Sequence, residues 1–309
     1  MPQISLLILA LLFLEGCAAL QSAPPQCFPG EAERCFQAGM YFARPKEKDP
    51  DYARALEMFQ KAAEEEFPKA EYALGVMYFR GLGVRKNEVR AFQWFEAAAK
   101  HGVIEARANL GLFSLLGIAV GKNEYEAVSL GLETAEGGVA LAQFYMGSLY
   151  LEGKSVKKSP EKAMAWFRKA ADQGCSAAQH NLGVGYAKGI GVEHNLLKSF
   201  LWTELAAESG IVESQYLLAM KYGEGQGIPK SDSYSFEWNL RAASKGNWLA
   251  QNQLGTMYEQ GIGTEKDPMR GEYWKLRAKD RGFSSTQLPE PFTFLGPDDR
   301  RCSTPLILK

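Results

Sequence analysis

Apolar and small residues recur along this chain on a 36-residue beat. Trp94, Trp166, Trp202, Trp238 and Trp274 stand 36 or twice 36 residues apart, and Leu130 fills the vacant place. A single globular core puts no such constraint on its large aromatics, so the spacing marks a repeated structural unit. With Ala70 as position 1, further units begin at Ala106, Ala142, Ala178, Ser214 and Ala250 without insertion, and a more divergent unit begins at Arg34. Positions 1 to 11, as in Ala70 to Arg80, carry Ala70, Leu74, Met77 and Tyr78 at helical spacing with no internal proline. A glycine pair such as Gly81 and Gly83 then breaks the helix. A second helix follows, as in Glu161 to Asp172, with Trp166, Phe167, Ala170 and Ala171 on one face. A glycine at position 33 closes it, where a left-handed C-terminal residue belongs.

Small residues keep the same register. Alanine pairs such as Ala62-Ala63, Ala98-Ala99 and Ala170-Ala171 recur in the second helices, and glycines such as Gly75, Gly111 and Gly147 recur at position 6 of the first. Such residues let helix axes approach to the short end of the usual range. Two helices of this size cannot bury their apolar faces alone, but stacked neighbours can. The expected fold is all-α: a right-handed α-solenoid of about seven helical hairpins of 36 residues, starting at 34, 70, 106, 142, 178, 214 and 250. Trp166 and Trp202 are expected to fill equivalent, buried inter-helix sites.

These residues resemble the Sel-1-like repeat family, a branch of the tetratricopeptide-like solenoids. Its pattern is well displayed from Ala142 to Ala177, with Met146-Gly147, Tyr150, Gly153, Lys162-Ala163, Trp166-Phe167, Ala170-Ala171 and Gly174. The resemblance covers residues 34–285. The first unit departs from it, with Pro45 and Glu47 at the turn glycines, and so does the third, with Leu130 for tryptophan and a Gly137-Gly138 pair. A terminal unit is atypical because it caps the stack; the third is internal and predicts a local irregularity. The resemblance implies a non-catalytic scaffold or adaptor in the bacterial cell envelope that binds another protein. Exported members of the family also resemble immunity proteins that neutralise type VI secreted phospholipase effectors, the alternative role.

The ends carry the address. Residues 1–16 hold an apolar run from Ile4 to Leu14, too short to span a bilayer but suited to a signal peptide. Leu14-Glu15-Gly16-Cys17 looks like a lipobox, which makes residues 17–33 a lipidated tether and Cys17 the lipid site. Ala18, by resemblance to sorted lipoproteins, points to the outer membrane, so the expected location is periplasmic, with membrane contact only through the lipid. Glu15 departs from the pattern, and no Lys or Arg precedes the apolar run. Cleavage near Ala19 or Ala23, releasing a soluble secreted form, stays open. Residues 286–309 hold Pro289, Pro291, Pro297 and Pro305 and read as an irregular tail laid over the last hairpin.

Charge and chemistry narrow the reading further. The chain has 35 Lys and Arg against 36 Asp and Glu, and no basic run, so nothing points to nucleic acid. Its three histidines, His101, His180 and His194, lack the spacing of metal ligands, and no nucleophile or cofactor motif occurs. No catalytic residue, metal or cofactor is therefore assigned. In an oxidising compartment Cys27 and Cys35 are the simplest disulfide pair, with four unpaired thiols as the alternative. Positions 3, 7 and 10 of the first helix point away from positions 1, 4, 5 and 8 and are rich in aromatics and methionine. If that face lines the concave side, Tyr72, Phe79, Phe144, His180 and Tyr216 are its partner-binding residues; if the superhelix is tightly wound, they are core.

The lipid site has a direct test. Metabolic labelling with a fatty-acid analogue is expected to mark the wild-type chain and to spare Cys17→Ser; equal labelling of both, or of neither, removes the anchor.

Overall fold

The structure, a computed structural model, describes residues 25–44, 49–280 and 295. Cys17, the apolar run before it, the turn with Pro45 and Glu47, and the tail except Leu295 lie outside the described residues. Among the described residues there are fourteen helices and no strand. The chain divides into two compact units, one holding the described residues through Asn123 and the other those from Glu124 to Leu295. The boundary falls inside the repeat whose tryptophan position is Leu130. In the first unit lie α1 (Ala32–Ala43), α2 (Tyr52–Glu64), α3 (Pro68–Arg80), α4 (Glu88–Lys100) and α5 (Ile104–Leu116). In the second lie α6 (Glu124–Glu136), α7 (Ala140–Glu152), α8 (Pro160–Asp172), α9 (Ser176–Lys188), α10 (Leu196–Glu208), α11 (Val212–Glu224), α12 (Asp232–Ser244), α13 (Trp248–Gln260) and α14 (Pro268–Asp280).

A polar residue at position 18 builds each hairpin turn. Asp51, Asn87, Ser159, Asn195, Ser231 and Asp267 accept through their side chains from the backbone N–H three residues on, which satisfies a donor at the helix start. The same residue's own N–H donates back to the first helix: Asn87 to the Tyr78 carbonyl, Ser159 to Tyr150, Asn195 to Tyr186, Asp267 to Tyr258, all at 2.8–3.0 Å. One residue thus starts the second helix and ties it to the first. Glycine is required where consecutive hairpins meet. A Cβ on Gly191 (φ +66) would stand 2.2 Å from the Pro160 carbonyl oxygen of the preceding hairpin. In two repeats Ala119 (φ 62) and Ser155 (φ 58) hold this left-handed conformation without being glycine, at a cost of roughly 1–2 kcal/mol each.

The core differs from the tryptophan-centred expectation. Trp94, Trp166, Trp202 and Trp274 are only partly buried, and cations lie over several of them, with Lys169 Nζ 4.2 Å from the Trp166 ring centroid. The fully buried aromatic is the next residue: Phe59, Phe95 and Phe167. Each sits over the position-6 glycine of its own hairpin, so closely that a Cβ on Gly147 would lie 2.6 Å from the Phe167 ring. The position-3 aromatic closes the site, with centroids 5.6 Å apart for Phe36 and Phe59, 5.7 Å for Tyr72 and Phe95, and 5.7 Å for Phe144 and Phe167. Trp166, Trp202 and Trp274 lie at the margin under basic side chains, whereas Trp238, whose hairpin has Ala219 in place of the glycine, is buried.

Glutamines join the hairpins of the second unit. The side chains of Gln143, Gln179, Gln215 and Gln251 donate to the carbonyls of Ala135, Ala171, Ala207 and Ala243, at 3.0–3.4 Å. Those carbonyls lie in the last turn of the preceding helix and also accept from the glycine N–H three residues on, so each glutamine adds a second bond at its neighbour's end. Cys27 and Cys35 form a disulfide with Cα atoms 4.5 Å apart, a loop closure worth about 2–3 kcal/mol on chain-entropy grounds. Cys175 is disulfide-bonded too.

Replacing Phe167 by Ala is expected to cost about 3–5 kcal/mol, as for other fully buried aromatics, and Trp166→Ala less than half of that. Urea unfolding followed by helical circular dichroism checks this; equal losses would return the tryptophan to the core.

Candidate protein-binding faces

The face predicted to meet a partner is largely buried. Phe144 and His180 are 0% and 1% exposed and Phe79 is 8% exposed. Phe144 packs on Phe167, and Phe79 on Phe113 at 5.3 Å. His180 Nδ1 lies 2.7 Å from Ser214 Oγ on the next first helix. Tyr72 and Tyr216 are half-buried. The Tyr72 hydroxyl accepts from Asn109 Nδ2 at 3.3 Å, and burial pushes its phenol up to about 12; burial raises that of Tyr216 as well. These five residues therefore do not form an open contact stripe. The expectation assumed one buried face per first helix, whereas each such helix meets its own partner helix and the neighbouring hairpins, and buries more than half of its circumference.

Two first helices go further. In α7 every residue from Ala140 to Leu149 is buried, and in α9 every residue from Ser176 to Tyr186. The equivalent residues of α13 include an exposed Gln253 and partly exposed Asn252 and Thr256. On α9, Asn181 Nδ2 donates to the Leu295 carbonyl at 2.9 Å, and the Leu295 N–H donates to Asn181 Oδ1 at 2.7 Å. The one described residue of the tail thus lies on α9 and not on the last hairpin, where the tail was expected.

The face formed by the second helices carries the open apolar surface. Leu197, Leu201 and Leu205 of α10 are 54%, 48% and 44% exposed and follow one another at four-residue steps, a continuous stripe on a helix. The equivalent residues are Glu161, Ala165 and Lys169 in α8 and Ser233, Glu237 and Arg241 in α12, as a solvated face requires. Met269 and Tyr273 of α14, at the positions of Leu197 and Leu201, are exposed too, at 84% and 51%, but the third equivalent there is Arg277, so the three-leucine stripe belongs to α10. A comparison of the repeats position by position would have found it, but not Asn181, whose position holds Ala73, Tyr145 and Leu217 in some units and Asn109 and Gln253 in others.

Among the described residues no group of His, Cys, Asp and Glu could hold a metal. A cavity of about 380 Å³ lined by Tyr78, Val84, Arg85, Lys86, Asn87 and Arg90 lies at a hairpin turn and holds no nucleophile or carboxylate. His101 is the C-cap of α4, and its Nδ1 lies 2.8 Å from Glu71 Oε2; that hydrogen bond and the carboxylate charge raise its pKa. Lys221 is the unexpected ionisable group. It is fully buried in the register of Met77, Leu149 and Met257, its Nζ donates to Ser199 Oγ at 2.7 Å, and burial lowers its pKa to about 8.

Successive helical hairpins of one repeated pattern define the α-solenoid class. The Sel1 repeat family model matches seven times, at residues 35–67, 68–103, 104–139, 140–175, 176–211, 212–247 and 248–283, and the chain belongs to that family. A protective antigen of uropathogenic Escherichia coli strains, displaying an SLR fold, is 33% identical at a TM-score of 0.68 over 82% of this chain and 54% of its own. The chain thus spans about half the length of that antigen. A Sel1 repeat protein from Oxalobacter formigenes is 31% identical at a TM-score of 0.63, over 82% of this chain and 73% of its own. An immunity protein of Pseudomonas aeruginosa is similar at only 19% identity and a TM-score of 0.47, over 71% of this chain and 83% of its own. No curated protein sequence matches the chain. Sel1 repeat solenoids are generally non-catalytic and typically serve protein–protein interaction.

Lys221 yields a pH-dependent expectation. Its folded pKa of about 8 lies below its unfolded value, so the unfolded state binds more protons between about 8 and 10.4, and stability rises with pH across that window. Below it the buried charge is fully destabilising. Lys221→Met should therefore add roughly 2–3 kcal/mol at neutral pH, with the gain shrinking as pH passes about 10. Chemical unfolding at the two pH values measures the difference; a destabilised variant at pH 7 would show that the ammonium is well satisfied.

Proposed function

We propose that this chain is an exported scaffold of the bacterial envelope that binds a protein partner through the leucine stripe of α10. The observation that carries the reading is the exposure of Leu197, Leu201 and Leu205 where the flanking second helices α8 and α12 present polar, charged or small residues. Three leucines at four-residue steps form the complement of an amphipathic partner helix or an apolar strip on a partner surface. They bring little cost in side-chain ordering, because α10 is already held on both sides by its neighbours.

Export is supported by the disulfides, since Cys27–Cys35 and the bond at Cys175 need an oxidising compartment. A lipid on Cys17 is supported by the Leu14-Glu15-Gly16-Cys17 string, and the outer membrane by Ala18 after it. It agrees with the described helices, none of which is long and apolar enough to cross a membrane. The alternative role, neutralising a secreted phospholipase, would use the same kind of surface on a different partner.

A photo-reactive amino acid at position 201 is expected to capture a protein from envelope extract that one at position 93 does not. Leu205→Glu should lower that capture about tenfold, the effect of losing one apolar anchor, with the melting temperature unchanged. Capture that is indifferent to Leu205→Glu would remove the stripe as the site. A captured phospholipase whose activity the chain inhibits would replace the scaffold role by the inhibitor role.

A further inference from the structure

Two carboxylates run beside the leucine stripe of α10. Residues three and four apart are neighbours on a helix, so Glu204 stands next to Leu201 and Glu208 next to Leu205, and the two acids are themselves four apart. Like charges at that spacing destabilise a helix. No other second helix carries two acids at these positions: α4 has Glu96 with Lys100 and α8 has Arg168 with Asp172, pairs of opposite sign. Glu208 is exposed and Glu204 partly buried. Burial and the Glu208 charge raise the carboxyl of Glu204, and a hydrogen bond from Tyr222 opposes them. Among the described residues no cation pairs with either acid.

The charge around the stripe is one-sided. Helices α10 and α11 together hold Glu204, Glu208, Glu213 and Glu224 against Lys198 and a Lys221 that is wholly buried. Lys198 lies over the Tyr186 ring of α9, 5.5 Å from its centroid. Burial and the nearby Glu204 and Glu208 charges raise the Tyr222 phenol of α11, which places both acids on the α11 side of the stripe. An apolar stripe alone accepts any apolar surface. Acids along its edge narrow the choice, because a partner carboxylate there is repelled and a partner ammonium or guanidinium supplies the missing counter-ion. The four-residue spacing of the leucines fixes the shape, since ridges of that spacing on two helices interdigitate.

We infer, on the reading that the stripe is the binding site, that its occupant is an amphipathic α-helix of another protein whose apolar ridge is bordered by Lys or Arg. The ridge lies on Leu197, Leu201 and Leu205, and the cations pair with Glu204 and Glu208. The leucines hold the helix, and the acids select it and set its register. Helix α14 of a second copy fits less well, because Arg277 is already held over the Tyr273 and Trp274 rings, 5.6 Å from each centroid.

Two synthetic helical peptides test the inference on the full-length protein. They share a leucine ridge at four-residue steps and differ only beside it, with lysine in one and glutamate in the other. In anisotropy titrations the lysine peptide is expected to bind about tenfold more tightly than the glutamate peptide, an advantage that shrinks as salt is raised. Glu204→Gln with Glu208→Gln should bring the two peptides within about threefold of each other at an unchanged melting temperature. Leu201→Ser, which leaves the charge alone, should weaken both. Equal binding of the two peptides to the wild type, with both weakened by Leu201→Ser, keeps the stripe as the site and overturns the basic partner. A lysine preference that survives the loss of both acids overturns it too. If neither peptide binds, or Leu201→Ser weakens neither, the stripe itself falls and the inference with it. The natural segment cross-linked to a photo-reactive residue at position 201 should carry Lys or Arg beside an apolar helical ridge; an acidic segment, or a second copy of this chain, overturns the inference.

Discussion

The structure rests on one steric fit, an aromatic ring seated in a notch that only glycine leaves open. Phe59, Phe95 and Phe167 on second helices lie over Gly39, Gly75 and Gly147 on first helices, with ring atoms at distances that any side chain would violate. The fit brings the two helices of a hairpin together and aims the position-3 aromatic back into the hairpin. It also leaves the tryptophan one residue earlier at the margin. From this follow the burial of Tyr72 and Phe144 and the displacement of the open surface to the second-helix side.

Hairpins that lack the ring show what the notch demands. Thr203 and Asn239 occupy the aromatic position in two repeats, and each returns a hydrogen bond to a carbonyl of its own helix, at 2.7 and 3.0 Å. Thr203 satisfies itself locally and adds little penalty to a buried site, whereas Asn239 leaves its Oδ1 buried without a partner. Lys221 follows the same logic less completely, since Ser199 accepts from it while burial still opposes its charge. The second unit is therefore more polar inside than a regular stack needs. Asn181 and His180 belong to the same departure, and they lie on the face that carries Leu295.

One surface of the second unit is also unlike that of a plain repeat array. The α10 stripe is apolar where solvation calls for charge. The inversion makes sense if the surface meets another segment, a helix whose apolar ridge covers the leucines. A scaffold needs at least one such surface, because a regular solenoid with a solvated exterior has no site that distinguishes one protein from another.

The 36-residue beat, read as helix, glycine turn and helix, was sufficient for the all-α hairpin repeat, because helical periodicity and turn chemistry are local and a repeat unit multiplies their signal seven times. The same alignment held the N-caps at Asp51, Asn87 and Ser159 and the glutamines at 143, 179, 215 and 251, which record only which groups each backbone end lacks. Other features needed the tertiary structure. Whether Trp166 or Phe167 fills the core turns on a ring fitting a notch across two helices, and adjacent residues on one apolar face are equivalent until the partner helix is in place. That Asn181 meets a peptide group 114 residues later turns on a contact with no local signature at either end. Periodicity reports what each unit does alone and with its like; which faces are covered and which stay open is decided only when segments distant along the chain compete for the same surface.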